Sequence, residues 1–283
     1  MPWNIEDRSV LVTGATSGIG RASAAALAER GADVVITARD PAVGAKVAQE
    51  LTARAGRTVR AMTLDLSDPS STQAFAEQFL ATTADLGVLI NNAGVMLGRK
   101  AISTDGFEMT IRVNHLGHFH LTCLLRNHLV KSEPARVITV ASAAHYSADR
   151  VELEPAGGLY RGFRTYARSK LANVLFGAEL ARRLAGTGVT SFSLHPGVVA
   201  TRIAQDGDTM LAGLAWKLMS HRMLTPVQGA ATTVYAATDP RLEQHDGSYL
   251  SSSQVTDPSA LARDEELAAR LWTLSEAAVG CRF

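Results

Sequence analysis

The chain has 283 residues, 46% of them apolar, with a formal net charge of +1. This suits one large α/β domain with a sizeable core, and the lack of a long basic run argues against a nucleic-acid surface or a polybasic membrane anchor. No apolar run approaches the roughly 20 residues that span a bilayer, and Met1 to Arg8 carries acids rather than an apolar signal core. With only Cys123 and Cys281, in unrelated contexts, the protein is expected to be soluble, without disulfides, and cytoplasmic.

Short β-branched runs alternate with longer helical patterns. Val10 to Val12 reads as a strand, followed by a helix from about Ile19 to Arg30. Val34 to Thr37 precedes a helix reaching about Arg54, with Asp40 as its cap and Pro41 in its first turn. Val59 to Leu66 is a third strand, then a helix runs from about Pro69 to Thr83. Val88 to Ile90, Val137 to Val140, Thr190 to Leu194 and Ser248 to Leu250 complete the set. Cys123 lies in an apolar helical stretch and reads as a small core residue. The strands are continuously apolar, as expected where both faces are covered. The rhythm implies one α/β domain over residues 1–283, with a doubly wound parallel sheet of seven strands and helices on both faces.

Two segments break the rhythm, about 143–165 and 198–225. Both follow the carboxyl ends of strands, where ligands bind in open α/β sheets, so both are assigned to the substrate cleft. The second holds Met210, Leu214 and Trp216 among other apolar residues. It reads equally as a helix packed on the core or a mobile lid over an apolar substrate.

Gly14, Ser17, Gly18, Ile19 and Gly20 lie in a G-x-x-x-G-x-G turn between the first strand and its helix. Such a turn lets a pyrophosphate approach backbone N–H groups at a helix N-terminus; the alternative is a tight turn without a ligand. At the end of strand two, Arg39 stands where an acidic residue would select NAD. Its guanidinium fork suits a 2′-phosphate and favours NADP(H), against the alternative of an exposed strand-end arginine. Asp65 either bonds an adenine amino edge or caps the turn before Pro69. Asn91 to Gly94 sets amides and a glycine at the same edge, where Asn92 or the backbone lines the cofactor cleft. Tyr166 and Lys170, four apart, share a helix face, and an ammonium there is expected to lower the phenol's pKa for proton transfer.

These motifs, with Ser142 ending strand five and His195-Pro196-Gly197, follow the order and spacing of the short-chain dehydrogenase/reductase family, over about residues 8–252. The stretch from Tyr166 to Phe176, Glu179 to Leu184 and Ser193 to Gly197 resembles its retinol-dehydrogenase-like branch, as does Ala38-Arg39-Asp40. The resemblance implies a Rossmann fold, Tyr166 as general acid/base and Lys170 as its partner at the nicotinamide ribose. It implies that Ser142 holds the substrate oxygen and Asn114 positions a relay water. It further implies phosphate contacts from the glycine turn, Asp65 and Leu66 at the adenine, and Asn92, Ala93 and Gly94 beside the ribose. Pro196, Gly197 and Thr201 would surround the nicotinamide. The gap from Ser142 to Tyr166 is about ten residues longer than the family's commonest pattern, an insertion that branch shares and that should add wall to the cleft.

His145 and Tyr146, just past Ser142, are candidate substrate contacts. His115, His118 and His120 crowd one helix and are placed facing solvent or a neighbouring helix; hydride transfer with Tyr166 needs no metal, and none is expected. His195 reads as a structural partner of the turn it precedes. Ala230 to Ala237 and Leu261 to Leu274 are amphipathic, and a homo-oligomer face or a core face explains each equally. The expected activity is NADP(H)-dependent interconversion of a carbonyl and an alcohol, with reduction of a lipophilic ketone or aldehyde favoured. The alternatives are an NAD-linked alcohol dehydrogenase working oxidatively and a non-catalytic NADP(H)-binding sensor or scaffold.

Overall fold

A computed structural model describes residues 3–153, 160–199 and 224–283. The first half alternates strand and helix: β1 (Ser9–Val12), α1 (Gly18–Ala28), β2 (Asp33–Ala38), α2 (Pro41–Ala55), β3 (Arg60–Thr63), α3 (Pro69–Thr82) and β4 (Val88–Asn91). A helical turn (Met109–Ile111) and a π turn (Arg112–Leu116) lead into α4 (Gly117–Lys131). There follow β5 (Ala135–Val140), a 3-10 turn (Ala143–Ser147), α5 (Gly162–Arg183), β6 (Val189–His195), α6 (Pro226–Thr238), β7 (Tyr249–Ser251), β8 (Gln254–Thr256) and α7 (Glu265–Val279).

Among the described residues the sheet has eight strands in the order β3-β2-β1-β4-β5-β6-β7-β8. The first seven strands in this order run parallel, and β8 pairs antiparallel with β7. The expectation of seven strands, all parallel, is thus corrected by one edge hairpin. Its three-residue return strand is exposed throughout and lacks the apolar run that marks the others.

Register puts the functional segments on one edge. Val12 pairs with Ile36 and Ile90, Asn91 with Thr139, and Val140 with Leu194. The chain therefore leaves β1, β2, β4, β5 and β6 on the same side of the sheet. The order reverses between β1 and β4, which opens a crevice there. The central strands β1, β4 and β5 are fully buried on both faces, with separate apolar clusters above and below.

Helix starts follow the expected chemistry. Asp40 accepts hydrogen bonds from the N–H groups of Ala42 and Val43, with Pro41 in the first turn. Asp68, Thr225 and Asp264 cap α3, α6 and α7 in the same way. Ala230, Ala236, Ala237, Leu271 and Trp272 are buried, so the core-packing alternative accounts for the two candidate oligomer faces.

The cysteines differ from expectation: Cys123 of α4 and Cys281, just beyond α7, form a disulfide across 158 residues of sequence. Spacing could not reveal it, because α7 must first lay the chain end against α4. Phe283 then packs edge-on against Trp272, with the Arg126 guanidinium over its other face. The cysteine-based argument for a reducing cytoplasm falls with this pairing. No helix among the described residues is long and apolar enough to cross a membrane.

Candidate active site

Tyr166 and Lys170 lie on α5, whose glycine start packs directly on the loop after β4. A Cβ on Gly162 would come within 2.2 Å of Leu97 O, so only glycine allows this approach. Lys170 is buried at 2% exposure, donates from Nζ to Val140 O at 2.9 Å, and lies 5.7 Å from the Tyr166 ring centre. The Ser142 side chain stands near enough to the Tyr166 phenol to lower its pKa. Gly94 sits against the same group, since a Cβ there would lie 3.3 Å from Asn114 Oδ1 and 3.4 Å from Lys170 Nζ. Asn114 accepts from Val95 N at 2.8 Å and donates to Val95 O and Ser169 Oγ at 3.0 and 2.9 Å. Ser142, Tyr166, Lys170 and Asn114, far apart in sequence, thus meet beyond the ends of β4 and β5.

The expected electrostatics are reversed. Burial raises the Tyr166 phenol above its ordinary range, and the nearby Ser142 side chain only partly opposes this. Burial also pushes Lys170 down to about 8. Desolvation is the dominant influence on both groups, and the phenol keeps its proton at neutral pH.

The glycine turn packs on the end of β4. Gly14 has φ +63°, and a Cβ there would meet Ala93 Cα at 2.8 Å; one on Gly20 would lie 2.3 Å from Asn92 Nδ2. Asn92 donates to Thr13 O and Gly14 O, so its side chain braces this turn. Ser17 is exposed at the N-cap of α1 and makes no capping hydrogen bond. The first-turn N–H groups of Gly18, Ile19 and Gly20 therefore have no side-chain acceptor, unlike those of α2, α3, α6 and α7. Arg39 is exposed beside this turn and has no ion-pair partner among the described residues. These features fit a dinucleotide: phosphates at the bare helix start and a 2′-substituent at Arg39.

Asp65 resolves towards its capping alternative, accepting from Ser67 N and Oγ at 2.9 and 2.7 Å. The Leu66 side chain is in the core. Pro196 and Gly197 are partly exposed beyond β6. Gly197 N donates to His195 Nδ1 at 3.1 Å, leaving Nε2–H for Ser251 Oγ at 2.7 Å. Thr201, Met210, Leu214 and Trp216 lie outside the described residues.

His145 is not a substrate contact. It is wholly buried, and its Nε2 accepts from Ser259 N at 3.1 Å, which places the proton on Nδ1, 2.8 Å from Ser142 O. It clamps the backbone of Ser142 to the loop after β8. The Tyr146 hydroxyl donates to Asp257 O at 2.7 Å, although half of the residue is exposed.

The lengthened wall before Tyr166 is braced at both ends. The Arg168 side chain, 6% exposed, pairs with Asp149 at 3.0 Å and Glu152 at 2.6 Å, and Arg164 also binds Asp149. Arg168 and Arg164 hold the Asp149 carboxyl well below the usual carboxylate range. At the far end Tyr160 donates to Glu108 Oε1 at 3.0 Å. This bracing was not read from the sequence, although Arg168 lies inside the Tyr–Lys motif.

Of the two placements expected for the helical histidines, the solvent-facing one is excluded, and His115 meets a neighbouring helix. His115 and His118 are 1% exposed and His120 is 7%, none of them facing solvent. Burial pushes His115 and His118 down to about 3. Each has a partner of its own: His115 Nε2 meets Ser275 Oγ at 2.8 Å and His118 Nε2 meets Thr13 Oγ1 at 2.9 Å. No group of three or more His, Cys, Asp or Glu among the described residues could hold a metal ion.

Residues 8–211 match the short chain dehydrogenase family, and the chain belongs to it. It lies in the retinol-dehydrogenase-like branch: it is 45% identical to human Retinol dehydrogenase 11 over 94% of this chain and 84% of that protein. Among solved structures, an uncharacterised protein from Mycobacterium paratuberculosis superposes with TM-score 0.80 at 35% identity, covering 100% of this chain and 99% of that one. A protein described as an NAD(P)-dependent gluconate 5-dehydrogenase from Beutenbergia cavernae, solved with NADP, gives TM-score 0.70 at 29% identity, over 89% of this chain and 97% of its own. The chain is an oxidoreductase of a family that acts on alcohol and carbonyl groups with nicotinamide dinucleotides.

Proposed function

We propose that this protein is an NADP(H)-dependent reductase of lipophilic ketones or aldehydes. The observation that carries the reading is the meeting of a half-buried, protonated Tyr166 with Ser142 and Lys170 past the end of β5. When bound, NADPH supplies the hydride to the carbonyl carbon. Tyr166 holds the proton for the carbonyl oxygen, and a phenol kept protonated by burial suits the reductive direction. Ser142 hydrogen-bonds that oxygen and stabilises the charge gathering on it. Lys170 steadies the phenolate left after proton transfer, and Asn114 fixes the loop beside Lys170 through Val95.

Arg39 supports the NADP(H) preference because its guanidinium is exposed and uncommitted. Exposed apolar residues support a lipophilic substrate. Phe163, 58% exposed, lies one turn before Tyr166, and Val198, 65% exposed, directly follows Gly197.

The purified protein is expected to oxidise NADPH with at least one apolar ketone or aldehyde from a diverse panel. Tyr166→Phe should bind NADPH as the wild type does and lose about 10²–10⁴ in turnover; full activity would overturn the mechanism. Arg39→Ala should weaken NADPH binding about tenfold and leave NADH binding nearly unchanged. Equal loss for both would favour the NAD-linked dehydrogenase, and tight NADPH binding without turnover would favour the sensor.

A further inference from the structure

We infer that His118 is a positioning residue: a neutral imidazole, protonated on Nδ1, that ties the start of the glycine-rich turn to the Asn114 backbone and holds the two sides of the cleft in register. The inference rests on the functional reading above only for its effect on turnover. Its geometry stands alone.

His118 lies in the first turn of α4. Its Nδ1 is 3.1 Å from Asn114 O, and a carbonyl only accepts, so Nδ1 carries a proton. Its Nε2 is 2.9 Å from Thr13 Oγ1. That hydroxyl already accepts from Asn92 N at 2.9 Å and Ala93 N at 3.0 Å, which fills both lone pairs. Its single proton must point outward, and His118 Nε2 is nearer than the alternative acceptor, Ile90 O at 3.3 Å. Nε2 is therefore an acceptor, and one neutral tautomer satisfies every partner. An imidazolium would set a second N–H against an oxygen with no lone pair to offer. Burial and the neighbouring Lys170 also disfavour the charged ring.

The bridge ties the turn after β1 to the helical segment that carries Asn114. On one side Thr13 gathers the backbone of Asn92 and Ala93 to the glycine turn. On the other, Asn114 binds Val95 and Ser169, and Ser169 Oγ donates to Tyr166 O at 2.7 Å. Thr13, His118, Asn114 and Ser169 form one path from the cofactor turn to the backbone carbonyl of Tyr166, which sets where the helix carries the acid. Because the path is buried and satisfied throughout, removing its middle member leaves the Asn114 carbonyl without its side-chain donor and Thr13 without its acceptor.

Two measurements test this. In ¹⁵N-labelled wild-type protein, with His118→Gln used for assignment, the His118 ring should show Nδ1–H and a bare Nε2, unchanged from pH 5 to 9. Titration near the ordinary value of a histidine, or a proton on Nε2, would overturn the bridge whether or not a substrate is known. In kinetics, His118→Phe fills the space without hydrogen bonds and should lower kcat about tenfold or more, with KM for the carbonyl within about threefold. His118→Gln keeps a donor and an acceptor and should recover most of the lost kcat. Wild-type kcat in His118→Phe, or a Gln variant no better than Phe, would overturn the positioning role. A wild-type protein that binds NADPH yet reduces no carbonyl would instead overturn the functional reading, and the ring spectra would still decide the bridge.

Discussion

Lys170 stands one helical turn from Tyr166, yet it does not set the phenol's titration in the free protein. The spacing argument treats the ammonium as the dominant neighbour, whereas burial disfavours the charged form of each group. Lys170 is pushed down to about 8 from an ordinary 10.5. Below pH 8 the folded protein carries the cost of a buried ammonium that the unfolded chain does not. Between pH 8 and 10.5 the unfolded chain retains a proton that the folded one has released, so this group makes stability rise with pH by about 1.4 kcal/mol per unit. Denaturant unfolding of Lys170→Met over that range should lack this contribution, and an unchanged wild-type-minus-variant difference would refute the buried-ammonium account. The Tyr–Lys spacing, the glycine turn and Arg39 were legible as residues. The desolvation that sets their charge states was not, because it depends on what the fold places around them.

At the scale of elements, the α4 region shows what the sequence leaves open about a helix. The sequence reads as one helix crowded with three histidines, and the chain adds to it a π turn at Arg112–Leu116 and buries all three rings. The stretch read as one amphipathic helix from Leu261 to Leu274 is split by Asp264, which caps α7. That helix covers α4 and α5 through Trp272, which stacks on Phe176 with ring centres 5.7 Å apart and meets Phe119 edge-on at 4.8 Å. Trp272 is 1% exposed, so Trp272→Ala should destabilise the fold by about 3–5 kcal/mol, measured by urea titration. A loss under about 1 kcal/mol would mean that α7 is not part of the cooperative core.

Across the whole molecule, the disulfide joins the chain end to α4 and closes most of the second half of the protein into one loop. Cys281→Ser should lower stability by about 2–4 kcal/mol, chiefly by freeing the unfolded chain. Wild-type protein under strong reductant should match the variant, and intact wild type should resist thiol labelling until reduced. Equal stability of variant and oxidised wild type would show that the link contributes nothing to the fold.

Resemblance to the family added Ser142 and Asn114 to Tyr166 and Lys170; local chemistry in the sequence determined the parallel doubly wound core, the capped helix starts and the shared helix face of Tyr166 and Lys170. Each of these follows from short-range patterns: apolar strands, capping side chains, glycines between strand and helix, and a four-residue spacing. Only the tertiary structure decided that the phenol keeps its proton, that His145 clamps Ser142 instead of facing a substrate, and that His118 joins the two sides of the cleft. It likewise decided that two distant cysteines meet. The reason is common to all four: burial, tautomer choice and long-range pairing depend on neighbours brought together from distant parts of the chain, which no local pattern encodes.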